Sequence, residues 1–353
     1  MFYLKYRPKT IAELDNTRVK EAVAKILASK NLPHALLFIG QKGTGKTSTA
    51  RIFAKAVNCL NNRFASSGNK TDQIEPCNQC PNCVSIANFS FTDVLEMDAA
   101  SNRGIEEIKN LIKETSFLPM VGRYRVFVID EAHMITPDGF NALLKTLEEP
   151  PPTAIFILVT TNLEKIPKTI VSRCVKINFG KARREDVVNM LKRYVASENL
   201  KFDDPILDLI AQHSDFSFRD AAKILEEFVI QKISTVEEGE KFLGIRGKND
   251  LLSVIEKKDL KTTLAWIEEF AQTGGNFKNL TESLLEELRM ILLAKKGLEF
   301  QDNQESNLST AETILLIKLL MNAYGNFRSS PIESLPFELA IVEFYHSREK
   351  AGN

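Results

Sequence analysis

The run from Ala35 to Arg51 constrains the fold of this chain more than any other stretch. An apolar segment, Ala35 to Ile39, has the length and composition of a buried strand. Gly40, Gly43 and Gly45 follow, and then Lys46, Thr47 and Ser48 head a helical pattern that reaches Asn58. Strand, glycine loop and helix in that order carry the spacing Gly-x-x-x-x-Gly-Lys-Thr of a phosphate-binding Walker A loop. The glycines let the loop curl until its N–H groups converge on one concavity, an anion nest at the helix N-terminus. The pattern therefore assigns a nucleoside triphosphate to Gly40, Gly43, Thr44, Gly45, Lys46, Thr47 and Ser48. Lys46 is expected on the β- and γ-phosphates, where it also serves catalysis, and the Thr47 hydroxyl on Mg²⁺. A chance glycine- and lysine-rich turn would lack the strand before it and the helix after it.

Four further apolar runs have strand character: Val94 to Met97, Val126 to Ile129, Ala154 to Thr160 and Val175 to Phe179. Helical patterns separate them, near Val19–Leu27, Ile105–Thr115 and Pro137–Glu149. Short apolar strands alternating with helices predict an α/β fold with a parallel sheet covered on both faces. From about Ala182 onward only helical periodicity recurs, with a polar, glycine-containing break at Gly244 to Asn249. The expected order is a nucleotide-binding domain over 1–180, a small helical lid over 181–243 and an all-α domain over 244–353. Leu60 to Gln73 is polar and aperiodic and reads as a surface insertion.

A chain of 353 residues is long enough for two or three cores. Lys+Arg and Asp+Glu both number 46, which excludes a surface coated with nucleic acid and leaves only a local basic stripe or helix N-termini for such contacts. No apolar run approaches a membrane span and the Met1–Lys5 start lacks a signal-peptide core, so a cytoplasmic protein is expected. In that compartment five cysteines point to metal ligands or buried thiols before disulfides.

Val128-Ile129-Asp130-Glu131 is the second nucleotide signature. A carboxylate at the end of a buried strand beside a phosphate loop can hold Mg²⁺, a role given to Asp130. Glu131 is then placed to polarise the attacking water. Thr160, Thr161 and Asn162 end the neighbouring strand and face the same crevice, either as partners of the γ-phosphate and water or as a polar strand cap. Arg173, in Ser172-Arg173-Cys174, and Arg219, at the head of a lid helix, can each fork onto phosphate oxygens or pair with a nearby carboxylate such as Asp220. Asn102, Arg103 and Gly104 open a helix whose N-terminus can hold a nucleic-acid phosphate, or be capped by Ser101 or Asn102 in the ordinary way. Cys59, Cys77, Cys80 and Cys83 offer four thiolates to a tetrahedral structural Zn²⁺; a redox Cys-x-x-Cys and free buried thiols are the competing readings. Cys174 reads as a small core residue.

Taken together, these stretches resemble the gamma/tau subunits of the bacterial DNA polymerase III clamp loader, which are AAA+ ATPases. The resemblance rests on Tyr6-Arg7-Pro8, Gly40 to Ser48, the cysteines at 77, 80 and 83, Leu95 to Ser101, Val128 to His133, Phe140 to Pro151, Thr160-Thr161 and Ser172-Arg173-Cys174. It implies an AAA+ P-loop domain with an inserted zinc module over 59–88, a lid, and a helical collar that holds an oligomer together. It further implies ATP, Mg²⁺ and Zn²⁺ as cofactors and an ATP-driven motor that loads a sliding clamp on primer–template DNA, with no polymerase active site in this chain. Arg173 is implied to act in trans on a neighbour's ATP, Arg219 to be the lid arginine acting in cis, and a threonine at the strand end, Thr160 or the site candidate Thr161, to be the sensor of the γ-phosphate. The implied partners are delta, delta prime and further gamma/tau copies, the clamp and the DNA. A non-motor scaffold subunit and another AAA+ DNA-handling ATPase, such as a Holliday-junction motor, are the alternatives. Asn16-Thr17 stands where the family has Gly-Gln, and Phe216-Ser217 where it has Gly-Ser. The chain ends at Asn353, before the long extension of tau-type members.

Overall fold

The computed structural model describes residues 1–353 except 65–71, 102–103, 244–247, 258, 273–274, 298–305 and 353. The five apolar runs form five strands: β1 (Ala35–Gly40), β2 (Val94–Asp98), β3 (Arg125–Asp130), β4 (Ala154–Thr160) and β5 (Val175–Gly180). They lie in the order β2-β3-β4-β1-β5, and every neighbouring pair is parallel. β4 is buried along its whole length, which its unbroken run Ala-Ile-Phe-Ile-Leu-Val-Thr permits. The helices Thr17–Ala28 and Lys46–Asn58 cover one face through Val19, Val23, Ile52 and Phe53. Ile105–Thr115 and Pro137–Glu148 cover the other through Ile108, Leu111, Phe140 and Leu143. Because the strands are parallel, their C-terminal ends share one edge, and the loop after β1 opens there beside the end of β3.

Three helices, Arg184–Ser197, Asp204–His213 and Phe218–Gln231, complete a first compact unit that runs from Met1 to Ser234. The second and third are joined by Ser214 to Ser217, with Asp215 and Phe216 both left-handed at φ 51° and 55°. At Phe216 an L side chain bears a conformation that glycine adopts without cost. The Lys181 ammonium lies 5.2 Å from the Phe216 ring and pairs with Asp215, which braces that turn. The second unit, Thr235 to Asn353, is helical among its described residues and has its own core around Leu284, Leu288, Leu316, Leu320, Phe337 and Phe344. Inside it the Tyr345 hydroxyl bridges Thr263 at 2.9 Å and the Ile255 carbonyl at 3.0 Å.

The expected surface insertion is anchored at its start. Asn62 is fully buried, and its amide donates to the carbonyls of Ala56, Ile74 and Glu75 at 2.8, 3.4 and 3.3 Å. A polar residue can be buried when its donors are satisfied, and a composition-based reading misses that. Among the described residues no helix is long and apolar enough to cross a membrane.

Candidate functional site

The loop after β1 and the end of β3 frame a cavity of about 410 Å³. Gly43 and Gly45 adopt φ of 80° and 89°, the left-handed conformations that glycine allows a curled loop. At one end lie Gly43, Thr44, Gly45, Lys46, Thr47 and Ser48, with Asp130 and Glu131 beside them. Leu14, Val19, Phe179, Met190 and Tyr194 supply an apolar wall of the same cavity. A glycine loop with Lys46 and an apolar wall in one cavity suit a polyphosphate carrying a planar base. Gly40 does not line the cavity. It supplies a carbonyl to Lys46, and a Cβ there would fall 2.7 Å from Cβ of Phe179.

Lys46 Nζ donates to the carbonyls of Gly40 and Gln41 at 2.8 and 2.6 Å, which leaves one ammonium proton for the cavity. Burial lowers its pKa from the usual lysine value, and Glu131 and Asp130 oppose the shift. The Thr47 hydroxyl donates to Asp130 Oδ2 at 2.7 Å. A hydroxyl and a carboxylate in contact at the strand end form the hard-oxygen pair that Mg²⁺ accepts. Glu131 has the left-handed φ of 47°, and its N–H donates to Asp130 Oδ1 at 2.9 Å. Such strain in a non-glycine residue is held only where the surroundings fix it. Thr161 Oγ1 donates to Glu131 Oε2 at 3.2 Å, and His133 Nδ1 lies 3.4 Å from that same oxygen. Thr160 is buried, meets His133 and donates to the Asn162 carbonyl, so of the three polar residues at the β4 end Thr161 is the one that reaches Glu131.

Arg219 lines the cavity, with its guanidinium 5.2 Å from the Tyr3 ring. Asp220, the carboxylate expected beside it, instead accepts from Ser217 and Lys223 at 2.8 and 3.2 Å. Arg173 lies outside the lining, ion-paired with Glu148 and donating to the Thr169 carbonyl at 2.8 Å. Asn102 and Arg103 fall outside the described residues; Gly104 is the N-cap of its helix, with no side-chain capping bond, and Glu106 and Glu107 occupy the first turn. That turn already places negative charge at the helix end, which opposes a phosphate there.

Spacing gave no sign of Arg7. It lines the cavity and its Nε donates to Ser48 Oγ at 2.9 Å, across 41 positions of sequence. Burial, with Arg51 and Arg219 nearby, lowers its pKa from the usual arginine value. Asn16 is buried; its carbonyl oxygen caps the helix at Val19 N, 3.2 Å away, and its amide donates to the Phe179 carbonyl at 3.0 Å.

The cysteine cluster lies beyond the far end of the helix Lys46–Asn58. The sulfurs of Cys59, Cys77, Cys80 and Cys83 all lie within 4.8 Å of one another. A tetrahedral Zn²⁺ with sulfurs at about 2.3 Å needs edges of about 3.8 Å, so the donor set fits. The N–H groups of Asn61 and Cys77 donate to Cys59 Sγ at 3.4 Å, and that of Cys80 to Cys77 Sγ at 3.3 Å. The hydrogen bond from Cys83, aided by those amides, pushes Cys59 down to about 5. Cys174 is buried in the sheet core, and burial alone raises its thiol to about 11.

Comparison with known proteins places this architecture. Residues 15–183 match the family described as DNA polymerase III, delta subunit. DNA polymerase III subunit tau of Bacillus subtilis is 37% identical over 305 residues, covering 84% of this chain and 53% of that one. DNA polymerase III subunit gamma of Buchnera aphidicola is 35% identical over 297 residues, covering 82% of this chain and 78% of that one. The chain belongs to the DNA polymerase III gamma/tau family. This gamma/tau chain spans about half the length of the Bacillus subtilis relative. Among solved structures, the Holliday junction branch migration motor RuvB of Thermotoga maritima aligns with a TM-score of 0.48 at 17% identity, covering 74% of this gamma/tau chain and 84% of that one.

Proposed function

We propose that this chain is an ATP-driven motor subunit of a replicative clamp loader, binding and hydrolysing ATP to place a sliding clamp on primer–template DNA in the cytoplasm. The observation that carries the reading is the completeness of the cavity: phosphate loop, Asp130 and Glu131 converge on it, while Arg173 stands outside. A scaffold subunit of the same assembly would need neither the Thr47–Asp130 contact nor a strained, doubly contacted Glu131. In this reading the loop amides and Lys46 hold the β- and γ-phosphates, and Thr47 and Asp130 hold Mg²⁺, which neutralises phosphate charge. Glu131 takes a proton from the attacking water and Thr161 keeps its carboxylate aimed. Arg219 contributes charge from the lid of the same chain.

Arg173 acts in trans. On a short segment outside its own cavity, its guanidinium can meet the γ-phosphate of a neighbouring subunit and stabilise charge there. The cysteine module holds one structural Zn²⁺. The helices of 244–353 form the collar that gathers delta, delta prime and further gamma/tau copies. The test is a mixture of Lys46→Ala and Arg173→Ala chains in one assembly with clamp and primed DNA. Each variant alone is expected to lack stimulated ATP turnover, while the mixture regains part of it. That recovery comes from interfaces joining an intact loop to an intact arginine. A mixture as inactive as either variant, with co-assembly confirmed by mass, would refute action in trans.

A further inference from the structure

No cysteine of the module lines the cavity, yet side chains beside the cysteines hold the segment that does. Glu75 stands two residues before Cys77, and its carboxylate forks onto the backbone of the N-terminal segment. Oε2 accepts from Ile11 N at 2.7 Å and Oε1 from Ala12 N at 2.9 Å. Those two amides open a turn that Leu14 N closes onto the Ile11 carbonyl at 3.1 Å. Leu14, Asp15 and Asn16, which leave that turn, line the cavity. A second tie comes from Lys55, a buried lysine whose Nζ donates to the Lys9 carbonyl at 2.7 Å and to Asn78 Oδ1 at 2.6 Å. Asn78 lies between Cys77 and Cys80 in a left-handed conformation, φ 56°. The backbone of Glu75 is itself fixed, through Asn62, to the helix that begins at Lys46.

We propose that Glu75 is a positioning residue through which the cysteine module sets the base-side wall of the nucleotide cavity, so that affinity for the nucleoside half of ATP depends on the module. The inference rests on the ATP reading given above. Bonds from a carboxylate to backbone N–H groups are among the stronger neutral–charged contacts, and the fork fixes direction as well as distance. Loss of the fork frees the turn at Ile11 to Leu14 and lets the apolar wall drift. The loop amides at Gly43 to Thr47 belong to a different segment and keep their places.

The experiment compares the wild-type chain with Glu75→Ala and Glu75→Gln by calorimetric titration with Mg·ATP and, separately, with Mg·tripolyphosphate. Glu75→Ala is expected to weaken ATP about tenfold, roughly the loss of one charge-assisted hydrogen bond, and to leave tripolyphosphate within about twofold. Glu75→Gln, which keeps one acceptor oxygen, should fall between. Zinc content should stay at the wild-type level, and hydrogen exchange of peptides covering 9–16 should accelerate in Glu75→Ala. Unchanged ATP affinity, or equal weakening of both ligands, overturns the inference. If Glu75→Ala folds poorly, Ala12→Pro decides: it deletes one of the two N–H donors at a turn position that accepts proline, and should weaken ATP selectively. A wild-type chain that binds neither ligand would instead sink the ATP reading itself.

Discussion

Replacing Gly43 with alanine should loosen the helix Phe218–Gln231 from the loop after β1. Gly43 has φ of 80°, and a Cβ built there would lie 2.0 Å from Ser217 Oγ, 3.2 Å from Ser217 Cβ and 3.4 Å from Arg219 Cβ. Ser217 is the N-cap of the helix Phe218–Gln231, accepting from Asp220 N and donating to Asp220 Oδ2 at 2.8 Å. The added methyl therefore has two costs. A left-handed alanine costs about 1–2 kcal/mol. Turning the Ser217 hydroxyl away sacrifices a cap worth about 1 kcal/mol. Together they predict a loss of about 2–3 kcal/mol, or roughly 4–12 °C in the melting of a unit of this size. Gly45 is the internal control, because it has φ of 89° with nothing within 4 Å of the added Cβ. Gly45→Ala should show only the backbone cost of about 1–2 kcal/mol. The assay is urea and thermal unfolding of Gly43→Ala and Gly45→Ala, each with and without Ser217→Gly. Glycine is a tolerated cap, so Ser217→Gly should cost a few tenths of a kcal/mol alone yet recover about 1 kcal/mol in the Gly43→Ala chain. Equal losses at the two glycines, or no coupling with Ser217, would refute docking of the lid helix on the loop.

In the proposed role Glu131 acts on the water and not on the ground-state phosphates, so Glu131→Gln should keep ATP affinity within about twofold and lower turnover at least about 100-fold; retained single-turnover hydrolysis would remove Glu131 from that role. Asp15 is raised from 3.8 to about 6 by burial, with Arg193 opposing. The raised folded value favours the protonated, folded chain, so that contribution is complete below about pH 4 and is lost as pH rises through 6. The stability of Asp15→Asn relative to wild type should therefore improve between pH 4 and 7 by on the order of 1–3 kcal/mol and level off above, as read by urea midpoints; a pH-independent difference would contradict it. Elemental analysis should find one zinc per chain, and its removal by a strong chelator should lower the melting temperature without dissolving the sheet signal in circular dichroism. A metal-free native chain of unchanged stability would refute the zinc reading.

Most of the sheet was legible because each strand is an apolar run closed by a polar or glycine signal, and helical periodicity intervenes. Lys46, Thr47, Asp130 and Glu131 were legible for the same reason, since each stands at or shortly after the end of a recognisable strand. Short helices without long periodicity escaped notice, among them Phe2–Lys5, Pro81–Ala87 and Lys168–Val171. Tyr6-Arg7-Pro8 helped carry the resemblance, but the place of Arg7 at the cavity escaped because its contact with Ser48 spans 41 positions and no local pattern encodes it. Asn62 escaped because hydrogen bonding, and not its polarity, decides its burial. The pairing guessed for Arg219 and Asp220 failed because successive helical residues do not face each other, and Asp220 meets Lys223 three positions on.

The helix Lys46–Asn58 joins these observations. Its 13 residues span about 20 Å from the phosphate loop to Cys59. At its N-terminal end it presents Lys46 and Thr47 to the cavity, and its C-cap is the first metal-ligand candidate. Lys55, one turn before that end, reaches back to the N-terminal segment, and Asn62, just beyond, holds the backbone of Glu75. In the proposed reading the phosphate half of the cavity is built on this helix directly, and the base half is referred to it through the cysteine module. Two walls fixed to one rigid element keep their separation even where the intervening sequence is polar and aperiodic. That arrangement gives the inserted cysteines a physical reason to sit where they do: outside the cavity lining, at the point where two segments distant in sequence are tied together.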